Sequence, residues 1–308
     1  MPSRRVRLVL AAAAASITLS PLVVTATAAP SELASSSGVA VRNGAGPSLA
    51  LVRSAGASAA RAKSGNNGIS YHGGPVITGP TKVYYIWYGS SSASTVDVLT
   101  SLAQNIGGSA YYNINTGYYN GANVHVSNAV TYVSAVTTTT YKGTSLSDAA
   151  IQGVVADAII NNQLPKDVNA LYFVLTAPGV TASSGFLTKY CGWHTHATIA
   201  SADIKYSFVG NPNGSSSCLQ QTAGSPNGDV NADGMASVLA HELEETATDP
   251  DLNAWYDTRG YENADKCAWT FGTTYGAGGG IANVHLGSRD YLIQRNWVNA
   301  SGGYCSMS

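Results

Sequence analysis

His241, Glu242 and Glu245 stand in the stretch ASVLAHELEETATDP, residues 236–250. Its apolar spacing predicts a helix over Met235–Thr248, opened after Asp233-Gly234 and closed before Pro250. Positions four apart share one face of a helix, so His241 and Glu245 would sit side by side with room for a cation between them. Glu242 points about a quarter-turn away, where it would reach a water on that cation rather than the cation itself. A divalent metal makes its bound water ionise near neutral pH, and a neighbouring carboxylate then takes the proton. Side chains of these types at these positions point to metal-dependent hydrolysis.

A catalytic zinc takes three protein ligands and a water, so a third ligand must come from elsewhere. Glu262 is the candidate, with Asp265 three positions beyond it in WYDTRGYENADKCAW, residues 255–269. The fragment Glu262-Asn263-Ala264-Asp265 resembles the downstream ligand segment of thermolysin-like zincins. That likeness implies Glu262 as a ligand and Asp265 as the residue that orients one; Glu245 stands where those enzymes have a second histidine. A carboxylate there lowers the charge of the site and favours harder metals than zinc. The plainer alternative is a solvated acidic face built from Glu242, Glu244, Glu245 and Asp249. Like charges on neighbouring turns repel, and no lysine or arginine lies four positions away to relieve them.

Other groups compete for roles. His194 and His196, just after Cys191, offer a ligand or an oxyanion donor, or else belong to a disulfide-pinned loop with surface histidines. Asp229, Asn231 and Asp233 alternate like the start of a calcium loop. Position twelve of that loop would be Ala240 instead of the required glutamate, and a helix-capping turn explains Asp233 equally well. His72, Tyr256, Tyr261 and His285 are further groups near the expected site.

These side chains need a framework. Val83–Tyr88 and Ala170–Thr176 are apolar runs of strand length, Val124–Val133 alternates, and Ile204–Val209 reads as another strand. Thr95–Ile106 has helical spacing, and Ser145–Gln163 is the clearest helix, capped by Ser145 or Ser147 and ended by Pro165. The expectation is one α+β domain over 67–308: a zincin-like mixed sheet with the Ser145–Gln163 and Met235–Thr248 helices packed on one of its faces.

Residues 1–28 have a basic start, an apolar run and small residues at Ala26-Thr27-Ala28, the pattern of a cleaved export signal. Residues 29–66 are rich in Ala, Ser and Gly, with too little apolar bulk to offset the entropy of ordering, and read as a disordered leader or propeptide. The chain has 16 basic and 17 acidic residues; removing Arg4, Arg5 and Arg7 with the signal leaves 13 against 17, a net of −4. Without a basic stripe, nucleic acid is not an expected partner, and no membrane association is expected after signal cleavage. Four cysteines suit an oxidising compartment. Of three connectivities, Cys191–Cys218 with Cys267–Cys305 closes the shorter loops.

Five separated blocks, "YHGGPVITG…VYYIWYG", "YCGWHTH", "IKYSFVGNP", "SPNGDVNADGM" and "YLIQRNWVNASGGYC", resemble the EXORDIUM or phosphate-induced protein family from about Ile69 to the end. The resemblance implies a secreted protein; plant members belong to the cell wall or apoplast and have no established enzymatic activity. His72, Gly192, His194, Asp229 and Asp233 fall in blocks shared with the plant branch, whereas the His241–Glu245 motif marks a microbial branch. The spacing of the acidic and imidazole groups, not the resemblance, makes the expected function a secreted, extracellular, monomeric metallohydrolase, a peptidase before other hydrolases, acting on a peptide or cell-wall substrate. Its metal, zinc above others, would be held by His241, Glu245 and Glu262 with Asp265 behind them, and Glu242 would be the base with His194 assisting. The rival is a non-catalytic wall or signalling protein whose carboxylates hold a structural metal or form a hydrogen-bonded network. A carbohydrate-binding wall protein, drawing on the Tyr and Trp content, is a third reading.

Overall fold

The computed structural model describes residues 48–51 and 68–308. The expected export signal at 1–28, and the expected leader other than Ser48–Leu51, lie outside the described residues. The centre of the molecule is a six-stranded mixed sheet. Its strands are β1 (Ser48–Leu51), β2 (Thr81–Tyr88), β3 (Val130–Thr138), β4 (Ala170–Thr176), β5 (Tyr190–Ile199) and β6 (Ala202–Val209). They are ordered β1-β5-β6-β4-β2-β3. Strands β3, β2, β4 and β6 run parallel; β5 is antiparallel to β6, and β1 is antiparallel to β5.

The central strands bury both faces, which is why β2 and β4 read as continuous apolar runs rather than alternating ones. Val83, Tyr85, Trp87, Leu171, Phe173 and Leu175 point into one core, while Tyr84, Ile86, Tyr88, Tyr172 and Val174 point into the other. Helices α1 (Ala93–Asn105) and α3 (Val230–Thr248) cover the first face, and α2 (Asp148–Ile160) covers the second. The α+β class with a mixed sheet is thus as expected, but the two long helices lie on opposite faces rather than on one. Sidedness depends on which core each apolar stripe meets, and both stripes are compatible with either core.

Local signals place the helix starts. Ser147 accepts from the Ala150 N–H at the head of α2, and Ser92 accepts from the Thr95 N–H at the head of α1. Asp229 does the same for α3 through Ala232, so this helix starts five residues before the expected Met235. Three further expectations are corrected. The alternating segment at Val124–Val133 becomes a strand only from Val130, where it pairs with β2. His194 and His196 lie on β5 rather than in a loop. Ser48–Leu51, within the segment expected to be disordered, forms an edge strand whose backbone register sets Ser48 against His194 and Ala50 against Gly192.

Both disulfides follow the shorter-loop pairing, Cys191–Cys218 and Cys267–Cys305. After α3 the chain forms short two-stranded hairpins that close over the α1/α3 face. Buried Tyr111 and Tyr118 donate to the Gln294 and Trp297 carbonyls of that region at 3.0 and 2.6 Å. Among the described residues no helix is long and apolar enough to cross a membrane.

Candidate metal centre

α3 is buried on all sides, sandwiched between the sheet, α1 and the carboxy-terminal hairpins; every residue from Ala232 to Thr248 is shielded from solvent. Such a helix is normally apolar all round, yet His241 is 1 % exposed and Glu242, Glu244 and Glu245 are 0 % exposed. Burying an ionised carboxylate without compensation costs several kcal/mol or more, so each of these acids requires a partner.

Glu244 has one. It faces away from the sheet, where the Asn296 amide donates to Oε2 at 2.5 Å and also bridges to Asn115 Oδ1 at 3.0 Å. Asn263 donates to the same Asn115 oxygen and to the Glu244 carbonyl. Burial still raises the Glu244 pKa well above the usual carboxylate range, against the pull of the Asn115 and Asn296 amides. Asn115 and Asn296 had no spacing signal, because they lie far from α3 in sequence and meet it only through the tertiary fold.

The other face of the helix meets β5 and the segment 257–267. Gly192 permits this approach: a Cβ there would stand 2.6 Å from Val238 Cγ1, 2.9 Å from the Phe208 carbonyl oxygen and 3.1 Å from Glu242 Oε1. Residues on one face of a strand alternate, so His194 points into the same space as Gly192. The segment bearing Glu262 and Asp265 is a loop closing in a short 3-10 turn, Asp265–Cys267, rather than a helix, and the Cys267–Cys305 disulfide ties down its end.

Six side chains converge here. His241 Nε2 lies 3.1 Å from Glu245 Oε1 and 3.5 Å from Asp265 Oδ1. His194 Nε2 lies 3.1 Å from Glu262 Oε2 and 3.6 Å from Glu245 Oε2. The Asp265 N–H donates to Glu245 Oε1 at 3.0 Å, and the Glu262 N–H to Asp265 Oδ2 at 3.3 Å. Two groups have all their donor atoms within 4.8 Å of one another: His241, Glu245 and Asp265, and His194, Glu242 and Glu245. All of the expected ligands are therefore present, but sorted differently: Asp265 completes the His241–Glu245 pair, and Glu262 sits against His194.

Glu242 stands apart from the rest. It is 0 % exposed and neither of its oxygens has a hydrogen-bond partner. Burial drives its pKa well above the ordinary range, and the Glu245 charge adds to this. Burial also pushes Glu245 up to about 8, with Asp265 and Glu262 adding and His241 opposing. For His241 burial works to lower the pKa, but Glu245 and Asp265 together outweigh it and hold the imidazole well above its usual value. Without a further cation, the chamber holds its charge balance through protons. Imidazole nitrogens and carboxylate oxygens placed this way could hold a metal ion in place of those protons.

The remaining candidates are engaged elsewhere. Asp229 accepts from Ala232 N and from Thr95 Oγ1, Asn231 accepts from Gly214 N, and Asp233 accepts from Ser225 Oγ and from Asn227. These oxygens cap α3 and fasten three different segments to it. His72 is exposed and stacks on Tyr256 at 3.7 Å; His285 is exposed and pairs with Asp290 at 2.9 Å. The Tyr261 N–H donates to Asp257 Oδ1. His196 forms a separate cluster with Asp203 at 2.7 Å and Asp251 at 3.9 Å, and there Lys205 Nζ lies 2.6 and 3.2 Å from the two aspartates.

Residues 69–290 match the phosphate-induced protein 1 conserved region, which spans all six side chains of the chamber. EXORDIUM-like 3 of Arabidopsis thaliana is 30 % identical, over 77 % of this chain and 82 % of its own length. EXORDIUM-like 5 of the same plant is 28 % identical, over 76 % and 72 %. PHOSPHATE-INDUCED 1 of Nicotiana tabacum is 28 % identical, over 62 % and 68 %. No solved structure matches the chain.

Proposed function

The chain belongs to the phosphate-induced protein 1 family, and we propose that it is a secreted, metal-binding member whose core holds a divalent cation among His194, His241, Glu242, Glu245, Glu262 and Asp265. One observation carries this reading: the Glu242 carboxylate is wholly buried with both oxygens unpartnered, beside two imidazoles and three more carboxylates. Imidazole nitrogen and carboxylate oxygen are a donor set for zinc and for somewhat harder divalent ions. Two disulfides support an oxidising, extracellular location. The test is metal analysis of the purified protein, followed by melting with and without a chelator. Bound metal that is lost in Glu245→Ala supports the reading. A metal-free protein whose melting ignores both zinc and chelator would sink it.

A second reading, metal-dependent hydrolysis of a peptide or cell-wall substrate, rests on the same Glu242. A bound divalent ion would supply Lewis acidity in the chamber. Glu242, with no hydrogen bond to hold its oxygens, would accept a proton from water and pass it to a leaving group. Burial of five of the six side chains, with Asp265 only slightly exposed, argues for the structural role unless a neighbouring segment moves. Glu242→Gln separates the two: in a hydrolase it keeps the metal and abolishes turnover. A wild-type protein that holds metal but cleaves neither protein nor wall-polymer substrates leaves the structural reading standing alone.

A further inference from the structure

Building on that metal-binding reading, we infer that the chamber takes two divalent cations rather than one, bridged by Glu245. The two donor groups of the chamber that fit within 4.8 Å each contain one of its histidines, and Glu245 is common to both. Its two oxygens face different imidazoles: Oε1 lies 3.1 Å from His241 Nε2, and Oε2 lies 3.6 Å from His194 Nε2. Each side then has its own further acid. Asp265 Oδ1 stands 3.5 Å from His241 Nε2, and Glu262 Oε2 stands 3.1 Å from His194 Nε2.

These spacings would let the same atoms close on an ion with little movement. With metal–ligand bonds of about 2.0–2.2 Å, two ligands of a tetrahedral ion stand roughly 3.3–3.6 Å apart. Two of the four distances, 3.5 and 3.6 Å, fall in that range, and the two at 3.1 Å lie just below it. A carboxylate with one oxygen on each ion spans a pair about 3.5–4 Å apart. A single ion would take one histidine and leave the other, with its acid, outside the coordination sphere.

Glu242 supplies the independent observation. It belongs to the His194 group, it is fully buried, and both of its oxygens are unpartnered. An ion at His241, Glu245 and Asp265 alone would leave it so. Ionised, Glu242, Glu245, Glu262 and Asp265 carry four negative charges, which two divalent ions match and one ion half matches. Each imidazole is accompanied by at least two carboxylates, so manganese is accommodated as well as zinc.

The test is to strip the protein with chelator and then titrate it with zinc or manganese alone. Two zinc ions per chain are expected at saturation, falling to one in His194→Ala and to one in His241→Ala. With manganese, the wild type should show the spectrum of an exchange-coupled pair by electron paramagnetic resonance, a readout that needs no substitution. One zinc per chain at saturation, or an isolated manganese signal, overturns the paired centre but leaves the metal-binding reading intact. No bound ion at all overturns the metal-binding reading itself.

Discussion

His194 and His196 lie two residues apart on β5, on the same face of the sheet, and each meets acidic side chains. Around His196 the acids are Asp203 and Asp251, and Lys205 is inserted between them. The ammonium and imidazole pull the Asp203 pKa below its ordinary value despite burial; Asp251, more buried and next to Asp203, is raised. Around His194 the acids are Glu245 and Glu262, with Glu242 close by and without a hydrogen bond. The outer cluster carries a covalently attached cation of fixed charge. The inner one is built of imidazoles and carboxylates, all of which can exchange protons for metal. Lysine has no lone pair when charged and cannot be a ligand; histidine can be either ligand or cation. Residue choice two positions apart on one strand thus separates a half-buried network that carries its own cation from a buried chamber that carries none of fixed charge.

Removing metal is the strongest way to break that contrast. A ligand present at about a thousand times its dissociation constant stabilises the folded state by about 4 kcal/mol. For a domain of this size each kcal/mol is worth roughly 2–4 °C. Chelation should therefore lower the melting temperature by about 10 °C, read by calorimetry. Equal melting with and without chelator would place the inner cluster in the same class as the outer one.

The pH dependence of the stripped protein sharpens the comparison. Glu245 titrates near 4.5 when unfolded and about 8 when folded, so between those values the folded state binds the extra proton. Stability must then fall as pH rises through that window. His241, raised above its ordinary 6.5, contributes stability below that pH that is lost as pH climbs through its folded value, the same sign. The metal-free protein should melt lower at pH 8.5 than at pH 5, by a few kcal/mol at about 1.4 kcal/mol per pKa unit. Metal binding requires the same groups deprotonated, so the loaded protein should gain in the opposite direction. Parallel pH profiles for the two forms would mean that the chamber is not where metal acts.

Gly192→Ala tests the approach of α3 to β5. The new methyl would meet the Phe208 carbonyl and Val238, and backbone cannot swing away as a side-chain end can. Overpacking of this kind costs about 1–3 kcal/mol, and the shift of α3 should weaken metal uptake in parallel. Full metal binding in a destabilised variant would show that the His194 side of the chamber is dispensable.

How much of this was legible depends on the range of the interaction. The four-residue step from His241 to Glu245 is a property of one helix, and the pair forms as expected. Ala170–Thr176 announces itself because both of its faces are buried. Ser147 marks the start of α2 through a hydrogen bond three residues long. β5 was hidden because polar residues take one of its sides: in YCGWHTH the buried His194 and the half-buried His196 occupy the side that a strand pattern expects to be apolar. The assignment of Asp265, not Glu262, to His241 turns on the path of a loop held by a disulfide to Cys305, which no periodicity encodes. Asn115 and Asn296, which hold Glu244, meet it only through the tertiary fold.

The smallest effect should come from Lys205→Met. The substitution removes the ammonium from between Asp203 and Asp251 and keeps most of the packing volume of the stem. Asp203 has a 41 % exposed side chain, and a pair of that exposure is worth about 1 kcal/mol or less; Asp251, only 17 % exposed, keeps the His196 imidazole at 3.9 Å when the ammonium is gone. A melting shift of at most a few degrees is expected, with the metal stoichiometry unchanged, because His196, Asp203 and Asp251 sit where water already solvates them in part. One additional zinc per chain in this variant would show that lysine had been occupying a cation site. The two clusters would then differ only in what fills them, not in what they are built to hold.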